Sequence, residues 1–173
     1  IDVVSSTNGF NFFVLSRNLA MENFGRCDTI HFENEFGCWG EFAESNLNNT
    51  LAVGDTTNCP RGGGEIQSNS SNRHVGSSLL IFDMNADSLL DVLVGDVSYP
   101  SMVAAYNYGT IVDAIMDSVE TMYPQLDLSI DVETFPAAFY EDVNNDGVRD
   151  LLVAPNTTID ALENVHGVVL YKN

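Results

Sequence analysis

The chain is short of positive charge. Lys172 is its only lysine, and six basic residues stand against 25 Asp and Glu, a formal charge of −19 at pH 7. With no basic patch to neutralise phosphates or meet anionic lipid, neither nucleic acid nor a membrane surface is an expected partner. An excess of carboxylates repels itself unless cations are bound, and divalent ions are the usual counterweight. No apolar run approaches the roughly 18 residues that a spanning helix needs, so direct membrane insertion is not expected either. The sequence opens at Ile1 with no Met and no signal-like segment, which reads as a processed chain or a piece of something longer.

Catalytic signatures are also missing. His31, His74 and His166 are scattered, and no Ser or Cys lies in a nucleophile motif such as GxSxG. His74, beside Arg73, reads as a hydrogen-bonding residue at a strand start. Gly62-Gly63-Gly64 has no Lys-Ser/Thr after it and is no phosphate loop. Trp39, the single tryptophan, reads as a core anchor. The chain is therefore expected not to be an enzyme.

Cysteine is sparse, at three residues, and Cys27, Cys38 and Cys59 show no CxxC spacing, which argues against zinc. If Asn48-Asn49 is a hairpin tip, opposed positions sum to 97 and Cys38 faces Cys59. Cross-strand Cα atoms about 4.5–5.5 Å apart suit a disulfide. That reading favours a Cys38–Cys59 bridge and an oxidising compartment; the alternative is three buried thiols.

What the sequence does have is short apolar runs separated by Asn, Gly, Ser and Asp: Phe12–Leu15, Thr29–Phe32, Leu51–Val53, Leu79–Phe82, Val92–Val94, Met102–Tyr106, Ala137–Tyr140, Leu151–Val153 and Val168–Tyr171. This is an all-β pattern. One helix is expected, over Ile111–Met122, where Ile111, Ile115, Val119 and Met122 recur at helical spacing before Pro124. Arg61–Asn72, rich in Gly, Ser and Asn, reads as a flexible loop.

An internal repeat organises the second half. Leu79–Gly95 (LLIFDMNADSLLDVLVG) matches Ala138–Ala154 (AFYEDVNNDGVRDLLVA) at an offset of 142 − 83 = 59, with the acidic loop positions in register. Each copy runs strand, acidic loop, strand, connection, strand, and ends near an aromatic: Tyr106-Asn107 in the first, Tyr171 and Asn173 in the second.

The loops place Asp83, Asn85, Asp87 and Asp91, and then Asp142, Asn144, Asp146 and Asp150, at positions 1, 3, 5 and 9. Hard oxygen donors at odd spacing suit Ca²⁺, with a main-chain carbonyl expected at position 7 from Leu89 and Val148. Two Ca²⁺ sites are thus expected. An EF-hand is excluded because position 12 is Val94 or Val153 where Glu is required, and because strands flank the loop. The alternative is a pair of solvated Asx turns. Three carboxylates per loop oppose that: at about 5 Å and an effective dielectric of about 20, each pair repels by roughly 3 kcal/mol. Position 6 is Gly147 in the second loop and Ser88 in the first. A non-glycine residue at positive φ costs on the order of 1 kcal/mol, so the second loop is expected to bind more tightly.

DMNADSLLDVLVGDV and DVNNDGVRDLLVAPN resemble the FG-GAP or VCBS repeats of integrin-type β-propellers. Cys38-Trp39-Gly40 with Phe42, Arg73-His74-Val75-Gly76-Ser77, and Phe135-Pro136-Ala137-Ala138-Phe139-Tyr140 extend the likeness to VCBS-repeat proteins exported by bacterial type IX secretion systems. Ala86 and Ser88 depart from the usual glycine-bearing loop. The resemblance implies an all-β, incomplete β-propeller with Ca²⁺-binding β-loop-β motifs: 1–26 the end of a preceding blade, 27–72 a hairpin-containing insertion, 73–125 a blade with the first loop, 126–173 a blade with the second. A closed propeller needs at least about four blades. It also implies candidate O-glycosylation where Asp precedes Ser or Thr and an apolar residue or Thr follows: Thr29, Thr56, Ser88 and Ser118.

The expected function is a secreted or cell-surface calcium-binding module for adhesion, its calcium structural and its partner a protein or glycan or the rest of a larger propeller. Two alternatives stand beside it: a structural component of a surface filament or secretion-linked assembly, and an accessory region of a secreted polysaccharide-degrading enzyme.

Overall fold

The computed structural model describes residues 2–6, 12–45, 48–54, 76–156 and 167–173. Within them the chain is all-β, twelve strands in four antiparallel sheets. The first sheet is β1 (Val3–Ser6), β2 (Phe13–Asn18) and β3 (Phe32–Phe36). A hairpin follows, β4 (Phe42–Glu44) with β5 (Leu51–Val53). The middle sheet is β6 (Ser77–Phe82), β7 (Asp91–Asp96), β8 (Met102–Asn107) and β9 (Met116–Thr121). The last is β10 (Pro136–Glu141), β11 (Asp150–Pro155) and β12 (Val169–Tyr171). Each sheet is a meander, strands adjacent in sequence pairing with one another. The described residues close neither a barrel nor a propeller ring. The first sheet runs across residue 26, while 73–125 and 126–173 each contain one sheet. No helix among the described residues is long and apolar enough to cross a membrane.

Alternation in the repeat explains how the sheets stack, because successive side chains of a strand point to opposite faces. In the middle sheet the rows Leu79–Val94–Val103 and Ile81–Val92–Ala105 look one way. They pack against Phe13, Trp39, Phe42 and Leu51. Trp39 is a core anchor as expected, its ring edge-on to Phe42 at 6.5 Å. The opposite face, with Leu80, Leu93, Met102 and Ala104, packs against Ala138, Leu151, Val153, Val169 and Tyr171 of the last sheet. Ile130 and Val132, from the β9–β10 connection, are fully buried in the same cluster. Full burial of side chains of this size stabilises by about 1.5–3 kcal/mol each, so the middle sheet, buried on both faces, is the core of the chain.

The expected helix at Ile111–Met122 is not there. Ile111 and Val112 are exposed, and Met116–Thr121 forms β9, paired with β8 and carrying one bulge beside Tyr106/Asn107. Met116 and Val119 face the core. Helical spacing misled because half of its apolar residues lie in a turn: Thr110 Oγ1 accepts from the Asp113 N–H at 2.9 Å, and Asn107 Oδ1 accepts from Gly109 and Ile115. Among the described residues the one helix is α1 (Ala20–Phe24), ended by Gly25 at φ 66. A polar Asn18 starts this turn, its Oδ1 accepting from the Ala20 and His31 N–H groups. Thr29–Phe32 is mostly turn, and strand begins only at Phe32.

The β4–β5 hairpin exists in a different register from the expected one. Phe42 pairs with Val53, Ala43 with Ala52 and Glu44 with Leu51, so opposed positions sum to 95 where a tip at Asn48-Asn49 requires 97. Gly40 at φ 77 and Glu41 at φ 52 break the strand before Phe42, so Cys38 is not on the ladder. Cys38 is disulfide-bonded and Cys27 is free and exposed. Cys59, the partner expected for Cys38, lies outside the described residues.

The two repeat sheets approach closely at Gly95. A Cβ there would lie 2.1 Å from the Pro136 carbonyl oxygen and 2.6 Å from Ser78 Oγ, which donates to the same carbonyl at 2.5 Å. Backbone cannot yield as a side chain can. Gly95→Ala is expected to destabilise the fold by about 1–3 kcal/mol through overpacking, read as a lower urea midpoint at unchanged slope; wild-type stability in that variant would contradict the close approach.

Candidate metal centre

Each acidic loop joins the first two strands of its sheet, between Phe82 and Asp91 in one and between Glu141 and Asp150 in the other. The two loops are folded alike by their own side chains. In the first, Asp83 Oδ1 accepts from Asp87 N at 3.1 Å and Oδ2 from Ser88 N at 2.9 Å; Asn85 Oδ1 accepts from Asp87 N at 3.0 Å, and Asp87 Oδ1 from Leu89 N at 2.8 Å. In the second, Asp142 accepts from Asp146 N at 3.1 Å and Gly147 N at 2.9 Å, Asn144 Oδ1 from Asp146 N at 2.8 Å, and Asp146 Oδ1 from Val148 N at 2.9 Å. Position 1 thus holds the N–H groups of positions 5 and 6, position 3 that of 5, and position 5 that of 7. Asx turns are what Asp and Asn form locally, and here they wind nine residues into one coil.

Winding that tightly puts two residues per loop at positive φ. Position 6 does so as expected, Ser88 at 72° and Gly147 at 90°. Position 4 does so too, Ala86 at 62° and Asn145 at 59°, which the sequence reading missed. Gly and Asn tolerate that region and Ala and Ser do not. The first loop therefore carries two strained residues and the second none, although an Asn at the same relative position was the available signal.

Position 9 differs in kind from the others. Asp91 and Asp150 are fully buried and open the second strand. Asp91 Oδ1 accepts from Asn107 N at 2.8 Å and Oδ2 from Met84 N at 2.9 Å. Asn107, itself buried, also donates through Nδ2 to the Leu90 carbonyl. Burial pushes the Asp91 carboxyl up from its ordinary value, against the lowering effect of the two N–H groups, with Asp87 and Asp83 adding to the rise. Asp150 Oδ1 accepts from Asn173 N at 3.0 Å, but its Oδ2 is buried with no hydrogen-bond partner. The asparagine after each aromatic strand is thus the residue that ties position 9 to the third strand.

The donor set fits a hard divalent cation in part. Among the described residues, no three His, Cys, Asp or Glu side chains are gathered as a metal-holding group. Yet the expected set in each loop includes two neutral oxygens, the position 3 amide and the position 7 carbonyl, and Asp150 Oδ2 is a buried carboxyl oxygen without a donor. Leaving such a group unsatisfied costs about 1–3 kcal/mol, and more when it is charged, a cost that a bound cation removes. Asp83, Asn85, Asp87, Asp91 and Leu89, and Asp142, Asn144, Asp146, Asp150 and Val148, are the residues that would hold Ca²⁺. Lys172 Nζ stands 3.9 Å from Asp146 Oδ2, an exposed pair.

The candidate glycosylation positions scatter. Thr29 lies in the α1–β3 turn, Ser118 in β9 opposite Tyr106, and Ser88 inside the first loop; Thr56 is outside the described residues. His31 pairs with Glu33 at 3.0 Å on the surface, and His74 and His166 are also outside the described residues. No family model, curated protein or solved structure matches the chain.

Two outcomes follow for the loops. At Gly147 a Cβ meets nothing within 4 Å, so Gly147→Ala isolates backbone strain and should lose about 1 kcal/mol, while Ser88→Gly should gain up to about that much; opposite signs in chemical denaturation would overturn the strain argument. The raised Asp91 pKa has its own sign. The folded state holds that proton more tightly than the unfolded, so without a cation stability is greatest below the unfolded pKa, falls as pH rises through the folded pKa and levels off above it. Asp91→Asn should flatten that part of the pH profile of the melting temperature; an unchanged slope would show that Asp91 does not contribute.

Proposed function

We propose that this chain is a calcium-braced β module of a secreted or cell-surface protein, built from FG-GAP/VCBS-type units of an incomplete propeller. The observation that carries the reading is Asp150, a fully buried carboxylate whose Oδ2 has no hydrogen-bond donor, at position 9 of a loop already wound by Asp142, Asn144 and Asp146. Supporting it are the second loop of the same fold at Asp83–Asp91 and a net charge of −19 that bound cations would reduce. In this reading calcium performs no chemistry. It joins the loop to the strands, because position 9 also holds the third strand through Asn107 or Asn173. Recognition of a protein or glycan partner is left to exposed side chains.

The second loop is the tighter site in this proposal. Asp91 has donors on both oxygens and Asp150 on one, and the first loop bears the strain of Ala86 and Ser88. A cation at 100 times its dissociation constant stabilises by about 2.7 kcal/mol, which for a chain of this size is a rise of roughly 5–10 °C in melting temperature. Calcium should produce that rise and a chelator should abolish it, and Asp150→Asn should remove the stronger of two binding steps in calorimetric titration. A melt indifferent to both calcium and chelator contradicts the proposal.

A further inference from the structure

Asn107 joins the first acidic loop to the exposed turn between β8 and β9. Its main-chain N–H donates to Asp91 Oδ1 at 2.8 Å, and its side-chain Nδ2 donates to the Leu90 carbonyl at 3.2 Å. The side-chain Oδ1 serves the turn, accepting from Gly109 N at 2.9 Å and Ile115 N at 3.0 Å. Asn107 is 2% exposed, so these bonds are sheltered from water. One buried residue thus fastens the end of the metal loop to both ends of the turn that follows.

The turn has little apolar packing of its own. Tyr108, Ile111 and Val112 are 66%, 83% and 75% exposed. Its shape comes from hydrogen bonds: Tyr108 N donates to the Ile115 carbonyl at 2.9 Å, Thr110 N to the Asp113 carbonyl at 2.8 Å, and Thr110 Oγ1 accepts from Val112 and Asp113 N–H. At Gly109 a Cβ would lie 2.3 Å from the Asp113 carbonyl oxygen, so the chain is folded closely on itself. A segment with exposed side chains and solvent-accessible hydrogen bonds opens locally at small cost. Its order therefore depends on how firmly Asn107 is held.

We propose that the first loop is a calcium-sensing site whose occupancy sets the order of the 108–114 turn through Asn107. This rests on the calcium reading above and divides the labour between the two loops. The second loop, with the orphan oxygen of Asp150, fills first and braces the fold. The first, with Ala86 and Ser88 at positive φ, fills later. Without a cation, Asp91 is a buried carboxylate in one short loop with Asp83 and Asp87, and a buried charge keeps its position only when it is compensated. A cation fixes that carboxylate, and with it Asn107 and the turn. Coupling of this kind is reciprocal, so an ordered turn strengthens the first site by the same factor. Filled, the loop presents Tyr108, Ile111 and Val112 in one arrangement; empty, it leaves them free to vary.

Amide hydrogen exchange followed by NMR during a calcium titration of the whole chain tests this. Protection of the Gly109 and Ile115 amides should rise about tenfold, within the usual range of coupling between sites, and should follow the weaker of two binding steps measured by calorimetry. Asp83→Asn should abolish the rise while the stronger step remains, and Asp150→Asn should remove the stronger step and keep the rise. Asn107→Ala preserves the main-chain bond to Asp91 and should bind calcium without the rise. Thr110→Ala, which loosens the turn away from the loop, should lower protection with and without calcium at an unchanged ratio, and it serves equally if Asn107→Ala does not fold. Absence of any calcium binding overturns this proposal together with the calcium reading. Two binding steps with unchanged protection overturn this one alone, as does a rise that follows the stronger step or survives Asp83→Asn.

Discussion

A carboxylate sealed inside the protein at the point where a loop becomes a strand is the constraint on which both repeat units rest. Asp91 and Asp150 expose no surface to solvent, so each looks to the chain for its partners. Each finds one in a main-chain N–H at the end of the third strand or just past it, from Asn107 and Asn173. That single bond makes the loop, the second strand and the third strand one object. Asn107 extends it further, since its side chain also organises the turn into β9. The arrangement has a cost, visible as the raised pKa of Asp91 and the orphan oxygen of Asp150. Groups held at such a cost point to a role beyond packing.

The stacking of sheets depends on that order in turn. Once the three strands are in register, odd and even side chains sort onto opposite faces, and two apolar clusters form on either side of the middle sheet. Gly95 sets how near the last sheet can come, and Phe82 and Tyr140 mark the same contact with rings 4.5 Å apart. Arg149 lies over Tyr140 at 5.8 Å, extending the contact into the second loop.

Much of this was legible from alternation alone. Strands such as Leu51–Val53 and those of the two repeat units were evident because apolar runs of the right length were bounded by Asp, Asn and Gly. The repeat showed which loop residues correspond, and the Asx turns followed from residue types with strong local preferences. The β9 strand was hidden because Ile111, an exposed turn residue, and Met122, exposed just past the strand's end, completed a false helical stripe with Ile115 and Val119. The hairpin register was hidden because a two-residue difference leaves the same side chains facing inward, so alternation cannot detect it. Positive φ at position 4 and the empty oxygen of Asp150 arise from how the whole loop closes. No single residue type announces them.

The meander plan has a consequence for how the molecule assembles itself. Almost every strand pairs with its neighbour in sequence, so each sheet can form from one continuous stretch of chain, with little loop closure to bring distant parts together. The sheets touch mainly their neighbours in the stack. Such a molecule behaves as a short one-dimensional array, in which the middle unit is held from both sides and the last from one. Cooperativity is then uneven along the chain. Opening is expected to begin at the end units of the stack, leaving the middle sheet as the protected remnant.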